Sequence, residues 1–354
     1  MANRGGDAYL VELNSSVVNA ADPDLPMSER ILGAVPGLAL VAVGAVCAWL
    51  LSEIFDSISQ LVVAMALGIA LANLLSIDRR TAPGTRVASR PILKAGVVLL
   101  GFQLSWSQLA DIGAPTLLLV CAIVAVTFVG TQYAARWLGL SEGLGLLVAS
   151  GFSICGASAI AAVEGVTDAN EEDVAYSITL VTLCGSVAVF VLPLIGRSLG
   201  LGSSQYGTWV GASVHDVGQV VAAATSGGHR AVAIAVVVKL VRVLLLGPLL
   251  AVIAYRGIPG DLPSKGRLAR LKPPLFVIGF LAATAVRSSG QIPEGMLGAI
   301  QNVQVACLTM ALFALGLGVD LRRLRQVGLR PVLLGGISWA MIAIFSLAGI
   351  QLFI

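Results

Sequence analysis

The sequence predicts an all-α polytopic membrane protein, and three observations carry that prediction. Of 354 residues, 57% are hydrophobic and 12% charged, against about 25% charged in an average soluble domain, and the mean hydropathy is +0.92. The apolar residues fall in continuous blocks of about twenty, the length a helix needs to cross a bilayer, rather than in the alternating ten-residue segments of a membrane β-barrel. Forty glycines suit helices that pack closely through small residues. Soluble globular proteins and outer-membrane barrels are thereby excluded.

The elements follow in chain order. Residues 1–30 are polar, mixed in charge and without the apolar core of a cleavable signal, which predicts a retained cytoplasmic tail. Clear apolar windows lie at 31–52, 57–75, 114–135, 143–163, 174–196, 231–254, 272–290, 296–318 and 331–353. Two windows are weaker. One, 91–104, is short and opened by Pro91; the other, 205–226, is interrupted by Gly207, Gly211 and Gly218 and carries His215, Asp216 and Gln219. Counting both gives about eleven transmembrane helices. Basic residues concentrate on the cytoplasmic side of membrane proteins, and an N-in, C-out chain of eleven spans obeys this. Its tail and its loops at 76–94, 136–142, 197–204, 255–271 and 319–330 then hold eighteen of the twenty-two Lys and Arg, counting Lys94 and Lys272 at the boundaries. The acidic loop at 164–173 (Glu164, Asp168, Glu171, Glu172, Asp173) falls outside.

The membrane domain is expected over 31–354, with approximate repeats at 57–196 and 205–354. The stretch "LLGFQLSWSQLADIGAPTLLL" at 99–119 echoes "ALGLGVDLRRLRQVGLRPVLL" at 314–334, and in this topology the two run in opposite directions, as an inverted repeat requires. A generic helix end followed by a polar loop is the plainer reading. A second echo relates "GFSICGASAIAA" at 151–162 to "GASVHDVGQVVAA" at 211–223. Eleven spans make this pair run the same way, so by this topology they are not inverted partners.

Candidate functional residues lie at membrane depth. The run Gly151 to Ser158 puts two glycines and the hydroxyls of Ser153 and Ser158 in mid-span, beside Cys155 and Gly156. A helix breaks there only where the freed backbone meets protein or a cavity, and the exposed amides would bind an anion. Small residues at a helix crossing, with serines bonded to their own backbone, are the alternative. Ser213 to Gln219 is the most polar stretch at depth, and ionisable groups there are functional candidates by default. His215 is suited to titrate near neutral pH and Asp216 to carry a coupling proton or cation. In the alternative, Asp216 neutralises a basic residue of the next helix. Lys239 and Arg242 are three residues apart, on one helix face. An anionic cargo, Asp216 or snorkelling toward the surface would satisfy them. Gln301, Asn302 and Gln304 suit cation coordination or, more simply, interhelical hydrogen bonding. Asp320, among arginines at a helix end, reads as a solvated ion pair.

Other classes fit less well. The net charge of +3 is consumed by the cytoplasmic loops, so no nucleic-acid partner is implied. The five cysteines lie in apolar segments without paired spacing, so neither a disulfide framework nor a metal site is indicated. Cys155, His215 and Asp216 are the residue types of a thiol triad, but helix neighbours point about 100° apart, and no HExxH, GxSxG or phosphate loop occurs. A passive channel would need a continuous polar lining, whereas the polar residues here cluster at mid-span.

The segments "GFSICGASAIAA", "GASVHDVGQVVAAA" and "TMALFALGLGVDLRRL" resemble the YeiH family (UPF0324) of bacterial inner-membrane proteins, whose members are labelled sulfate exporters. The resemblance covers the chain from about residue 30 onward, and its specific part is SVHDVGQ. It implies an inverted-repeat transporter fold like those of sodium/proton antiporters and bile acid symporters, with two discontinuous helices crossing near the midplane, and by analogy of fold a homodimer. The first crossing helix looks like Ser153 to Ser158. For the second, repeat counting selects the span with Gln301 and Asn302, and residue chemistry the span with His215 and Asp216.

The expected function is secondary active transport, outward, of a small anion such as sulfate, sulfite or an organosulfonate, coupled to a proton or sodium ion, with no other cofactor. A cation/proton antiporter of the same fold is the alternative. Ser153, Cys155, Gly156, Ser158, Ser213, Lys239 and Arg242 are assigned to the substrate. His215, Asp216, Gln219, Gln301 and Asn302 are assigned to coupling or gating.

Overall fold

The computed structural model describes residues 27–54, 59–104, 113–164, 167, 169–256, 275–321 and 327–353. The N-terminal tail before Met27, Asp168 and the basic loop residues at 257–272 and 322–325 lie outside the described residues. The described chain is helical throughout. Helices α1 (Met27–Ile54) and α2 (Gln60–Leu74) are followed by a helical run from Arg79 to Gln103 containing α3 (Ala82–Val87), a π turn at Pro91 and α4 (Leu93–Leu100). Proline removes one backbone donor, and the wider turn absorbs it without ending the helix. Then come α5 (Gly113–Trp137), α6 (Glu142–Ser153), α7 (Ala157–Glu164), α8 (Glu171–Ser198), α9 (Ser203–Ser213), α10 (Val217–Ala224), α11 (Gly228–Leu244), α12 (Leu246–Arg256), α13 (Leu275–Ser288), α14 (Glu294–Leu317) and α15 (Leu329–Phe353).

Six stretches are long and apolar enough to cross a membrane, and Gln60–Leu74 and Leu275–Ser288 are shorter apolar helices. One of the six, Val217–Ile253, does not run straight. It turns at Gly228, whose φ of +83° is a conformation that glycine reaches without steric cost.

Contacts between helices give their directions. Helices α5 and α15 are antiparallel, with Thr131 Oγ1 donating to Ser338 Oγ at 3.1 Å and Gly349 close against Leu119. Helices α2 and α14 are parallel: Gln60 at the start of α2 donates to Thr309 within α14, and Asn73 near the end of α2 donates to the Val319 carbonyl just past the end of α14. Gly37 of α1 abuts Gly84 of α3. These pairs set a near end, where α1 begins, and a far end, where α15 finishes.

The segments at 143–163 and 205–226 differ from expectation. Ser141, which caps α6, donates to Asp173 in the first turn of α8 at 2.8 Å. The chain that enters with α6 therefore returns with α7 to the near end before α8 begins. In the second segment the Tyr206 hydroxyl, near the start of α9, donates to the Ala223 carbonyl at the end of α10 at 2.8 Å and accepts from Ser226. That segment enters and leaves at the far end. Both are re-entrant helical hairpins, not crossing helices. The two segments therefore do not add the crossings expected of them, and among the described residues six stretches are long and apolar enough to cross a membrane.

Two corrections follow. Glu164, Glu171, Glu172 and Asp173, expected outside, lie at the same end as the start of α1, and Arg197, expected beside the basic loops, lies at the opposite end. The two echoing segments at 151–162 and 211–223 enter from opposite ends, so they do run inverted to one another.

One core is built mainly on α1, α2, α4, α13 and α14, and α5, α8 and α11 reach into it through Val124, Val189, Val236, Leu240 and Val243; the other cores gather α5 to α12 and α15. Ile154 and Cys155 from the first hairpin, and Val217 and Val221 from the second, join the first core. The hairpin tips thus face the seam between this core and the others.

A candidate functional site where two hairpin tips meet

The first tip turns on backbone alone. Ile154 leaves the helix with φ −109° and ψ −92°, and Gly156 takes φ +73° while its amide donates to the Gly151 carbonyl at 2.9 Å. The second tip turns with side chains. Asp216 caps α10: its Oδ1 accepts from the Gly218 amide at 2.8 Å, and the Gln219 side chain accepts from the Asp216 amide at 3.3 Å. This reciprocal capping box satisfies donors that a helix start leaves orphaned. Gln219 also donates to the Thr182 carbonyl at 3.2 Å and to Ser186 at 3.4 Å on α8. It fits because residue 185 is glycine; a Cβ there would stand 2.0 Å from Gln219 Oε1.

The tips touch. The Phe152 and His215 rings lie 4.4 Å apart, and a Cβ on Gly156 would stand 3.7 Å from the His215 carbonyl oxygen. Helices α6 and α9 both end here, so their last carbonyls have no partner within the helix. Lys239 and Arg242 of α11 supply the partners. Lys239 Nζ donates to the Ile154 carbonyl at 2.6 Å and to that of Val214 at 3.0 Å. Arg242 donates through Nε to Ser153 at 3.1 Å, through Nη2 to Phe152 at 2.8 Å, and through Nη1 to Gly211 at 3.1 Å and Val214 at 2.8 Å. Both side chains are 0% exposed. The pair staples the two tips to one helix and places positive charge at two helix C-termini, where the dipole favours it.

Asp216 is within electrostatic reach of Lys239, but the two do not form an ion pair. The alternative in which Asp216 simply neutralises the next helix is therefore not the geometry found. His215 is 1% exposed, and neither ring nitrogen meets a hydrogen-bond partner. The Phe152 carbonyl, which accepts from Arg242, lies beside the ring without hydrogen-bond geometry to it. Asp216 turns toward its cap amides and does not orient His215, so Cys155, His215 and Asp216 do not form the relay that a thiol triad requires.

Other expected residues fall differently. Ser153 and Ser213 are buried and bond back to carbonyls of their own helices, Ser150 at 3.4 Å and Trp209 at 2.6 Å. Cys155 is buried at the tip, and Ser158 is exposed one residue into α7. Gln301 and Asn302 are exposed on α14, next to a buried Gln304 that accepts from Gln103; the structure does not bring them to the tips. The second broken segment is therefore the one with His215 and Asp216. Among the described residues, no cluster of three His, Cys, Asp or Glu could hold a metal.

Sequence reasoning missed Phe152, Thr182, Gly185 and Ser186, whose only signal is a faint polar stripe at 182 and 186. It also missed a cleft of about 100 Å³ between α8 and the end of α14, lined by Thr179, Thr182, Gly318 and Asp320 among others. Thr182 joins this cleft to the Gln219 cap.

Comparison with known proteins adds the relationship. A family profile described as "Conserved hypothetical protein 698" matches residues 36–335. A UPF0324 membrane protein of Corynebacterium glutamicum is 39% identical over 89% of this chain and 91% of its own length. The chain belongs to the UPF0324 family. Further UPF0324 membrane proteins, from Agrobacterium fabrum and Bacillus cereus, are 37% and 31% identical over 88% and 84% of this chain and 91% and 89% of their own. No solved structure matches. With UPF0324 membership and several long apolar helices, the chain is a multi-pass membrane protein.

Proposed function

We propose that this UPF0324 protein is a secondary active transporter that moves a small anion by alternating access. One observation carries the reading: two re-entrant hairpins enter from opposite ends and meet at a seam holding two fully buried cations, Lys239 and Arg242. Irregular backbone at membrane depth belongs where it is buried in protein or lines a path, and buried cations attract a counter-ion. The opposed hairpins, and the inverted echoes at 99–119 and 314–334, support an inverted-repeat architecture in which the two sides rock about a shared seam.

In this reading the anion binds beside His215 and Cys155, and Asp216 carries the coupling proton or sodium ion. Lys239 and Arg242 act through their field, because their donors are engaged with backbone carbonyls. The cleft at Thr179 and Asp320 is the approach from the near end. Arg79, Arg80, Arg136 and Arg330 lie toward that end, which orients it to the cytoplasm. Sulfate, sulfite or an organosulfonate, exported across the bacterial inner membrane by a homodimer, is the cargo class we assign.

Flux into proteoliposomes of purified protein, with labelled sulfate, sulfite and organosulfonates and with or without pH or sodium gradients, tests the reading. Gradient-stimulated flux of one anion is expected and names the coupling ion. No flux of any anion, from protein with an intact melting transition, would overturn it.

A further inference from the structure

We propose that the seam selects a singly charged oxyanion that itself carries a hydrogen-bond donor, such as a hydroxyl-bearing sulfonate, and discriminates against a dianion such as sulfate. The inference rests on the anion-transport reading and specifies the substrate class of that same site.

Charge is the first argument. The ionisable groups around the tips are Lys239 and Arg242 on α11, Asp216 and His215 on the second hairpin, and Cys155 on the first. With Asp216 unloaded, as exchange of the outgoing anion against an incoming coupling ion requires, two cations against one carboxylate leave one positive charge over. The helix ends do not change this count, because the C-termini of α6 and α9 and the N-termini of α7 and α10 meet at the same place and their partial charges of about one half cancel. A monoanion brings the seam to neutrality. A dianion leaves a net negative charge in a medium that solvates it poorly.

Hydrogen bonding is the second argument. Buried polar groups normally have partners, yet both nitrogens of His215 lack one among the described residues while the ring is 99% buried. A neutral imidazole presents one N–H and one acceptor nitrogen, while the Asp216 carboxylate beside it already accepts from its cap amides. An all-acceptor ligand such as sulfate answers the N–H and leaves the acceptor nitrogen unanswered. A ligand with both an anionic oxygen and an O–H or N–H answers both. Ser153 and Ser213 do not make up the difference, since their hydroxyl protons are spent on their own helices.

Competition in proteoliposomes tests this with three probes of graded chemistry: 2-hydroxyethanesulfonate, ethanesulfonate and sulfate. The hydroxyl is expected to improve apparent affinity about tenfold over ethanesulfonate, the scale of leaving a buried polar group unpaired, and sulfate is expected to be weakest. Asp216→Asn keeps a capping side chain but removes the negative charge, so sulfate should gain on ethanesulfonate. His215→Leu should erase the difference between the two sulfonates.

Sulfate equal to or better than the sulfonates in the unaltered protein would overturn the inference while leaving anion transport standing. Unchanged selectivity in both variants would do the same. If none of the probes moves through folded protein, the transport reading falls, and this inference with it.

Discussion

The two hairpins solve one problem by different means. Each must reverse the chain at membrane depth, where backbone groups cannot turn to water. The first reverses on Gly156 and a backbone bond to Gly151, with no side-chain hydrogen bond of its own holding the turn; the second uses Asp216 and Gln219 as a capping box and adds His215. Both hand their terminal carbonyls to the same two cations. The difference teaches that holding a tip in place and equipping it with chemistry are separate tasks here: α11 does the first for both tips, and the second tip's side chains do the second.

The largest effect should come from the shared staple. Arg242→Met removes donors to four buried carbonyls, and breaking a buried charged network costs about 3–5 kcal/mol. Loss of folded protein in detergent, read by size-exclusion and melting, is therefore expected, and both tips should loosen together. A well-folded variant with only weakened transport would show that the staple serves the cargo rather than the scaffold.

The next variant separates the tips. Gly185→Ala drives a methyl into Gln219 and should destabilise the second hairpin alone, by about 1–3 kcal/mol as overpacking does. Pairing it with Gln219→Ala should recover most of that loss in a melting double-mutant cycle. Additivity would mean that the clash lies elsewhere.

The smallest effect is expected at the first tip. Gly156→Ala meets no atom closer than 3.7 Å, so its cost is the left-handed backbone alone, about 1–2 kcal/mol. A larger drop in melting would indicate that the tip packs more tightly than its neighbours imply.

Much of the bundle was legible in the sequence. Apolar blocks located the passes, and the composition excluded soluble and barrel folds. The hairpins were not legible, for a physical reason. Segments 143–163 and 205–226 each have the length of a crossing in the sequence, and length does not distinguish a crossing from a return. Positive-charge counting failed too, because two successive hairpins cancel. Only the loops between them change sides, and these hold Arg197 and a run of acids that orientation rules weigh lightly. The misfit that did betray them was the echo between 151–162 and 211–223, whose partners ran parallel under eleven spans and run opposed once each segment turns back.

The site was legible by residue type and not by role. Burial at mid-span singled out Lys239, Arg242, His215 and Asp216, and all four meet at the tips. Their roles depend on distances that no spacing rule supplies. The cations serve carbonyls left free by helix ends contributed from 25 to 90 residues earlier in the chain, and Asp216 faces the amide two residues on. Gln301 and Asn302 misled because amides within a span look alike whether they face lipid, a neighbour or a path.

The staple has an evolutionary consequence. Lys239 and Arg242 grip carbonyl oxygens, which every amino acid carries, and so read nothing of the side chains at either tip. Residues such as Cys155 and His215 are consequently free to be exchanged without loosening the scaffold that presents them. On the transport reading proposed above, a lineage can drift from one cargo to another by altering a few tip positions while the two cations stay fixed, so that relatives sharing the staple need not share a substrate.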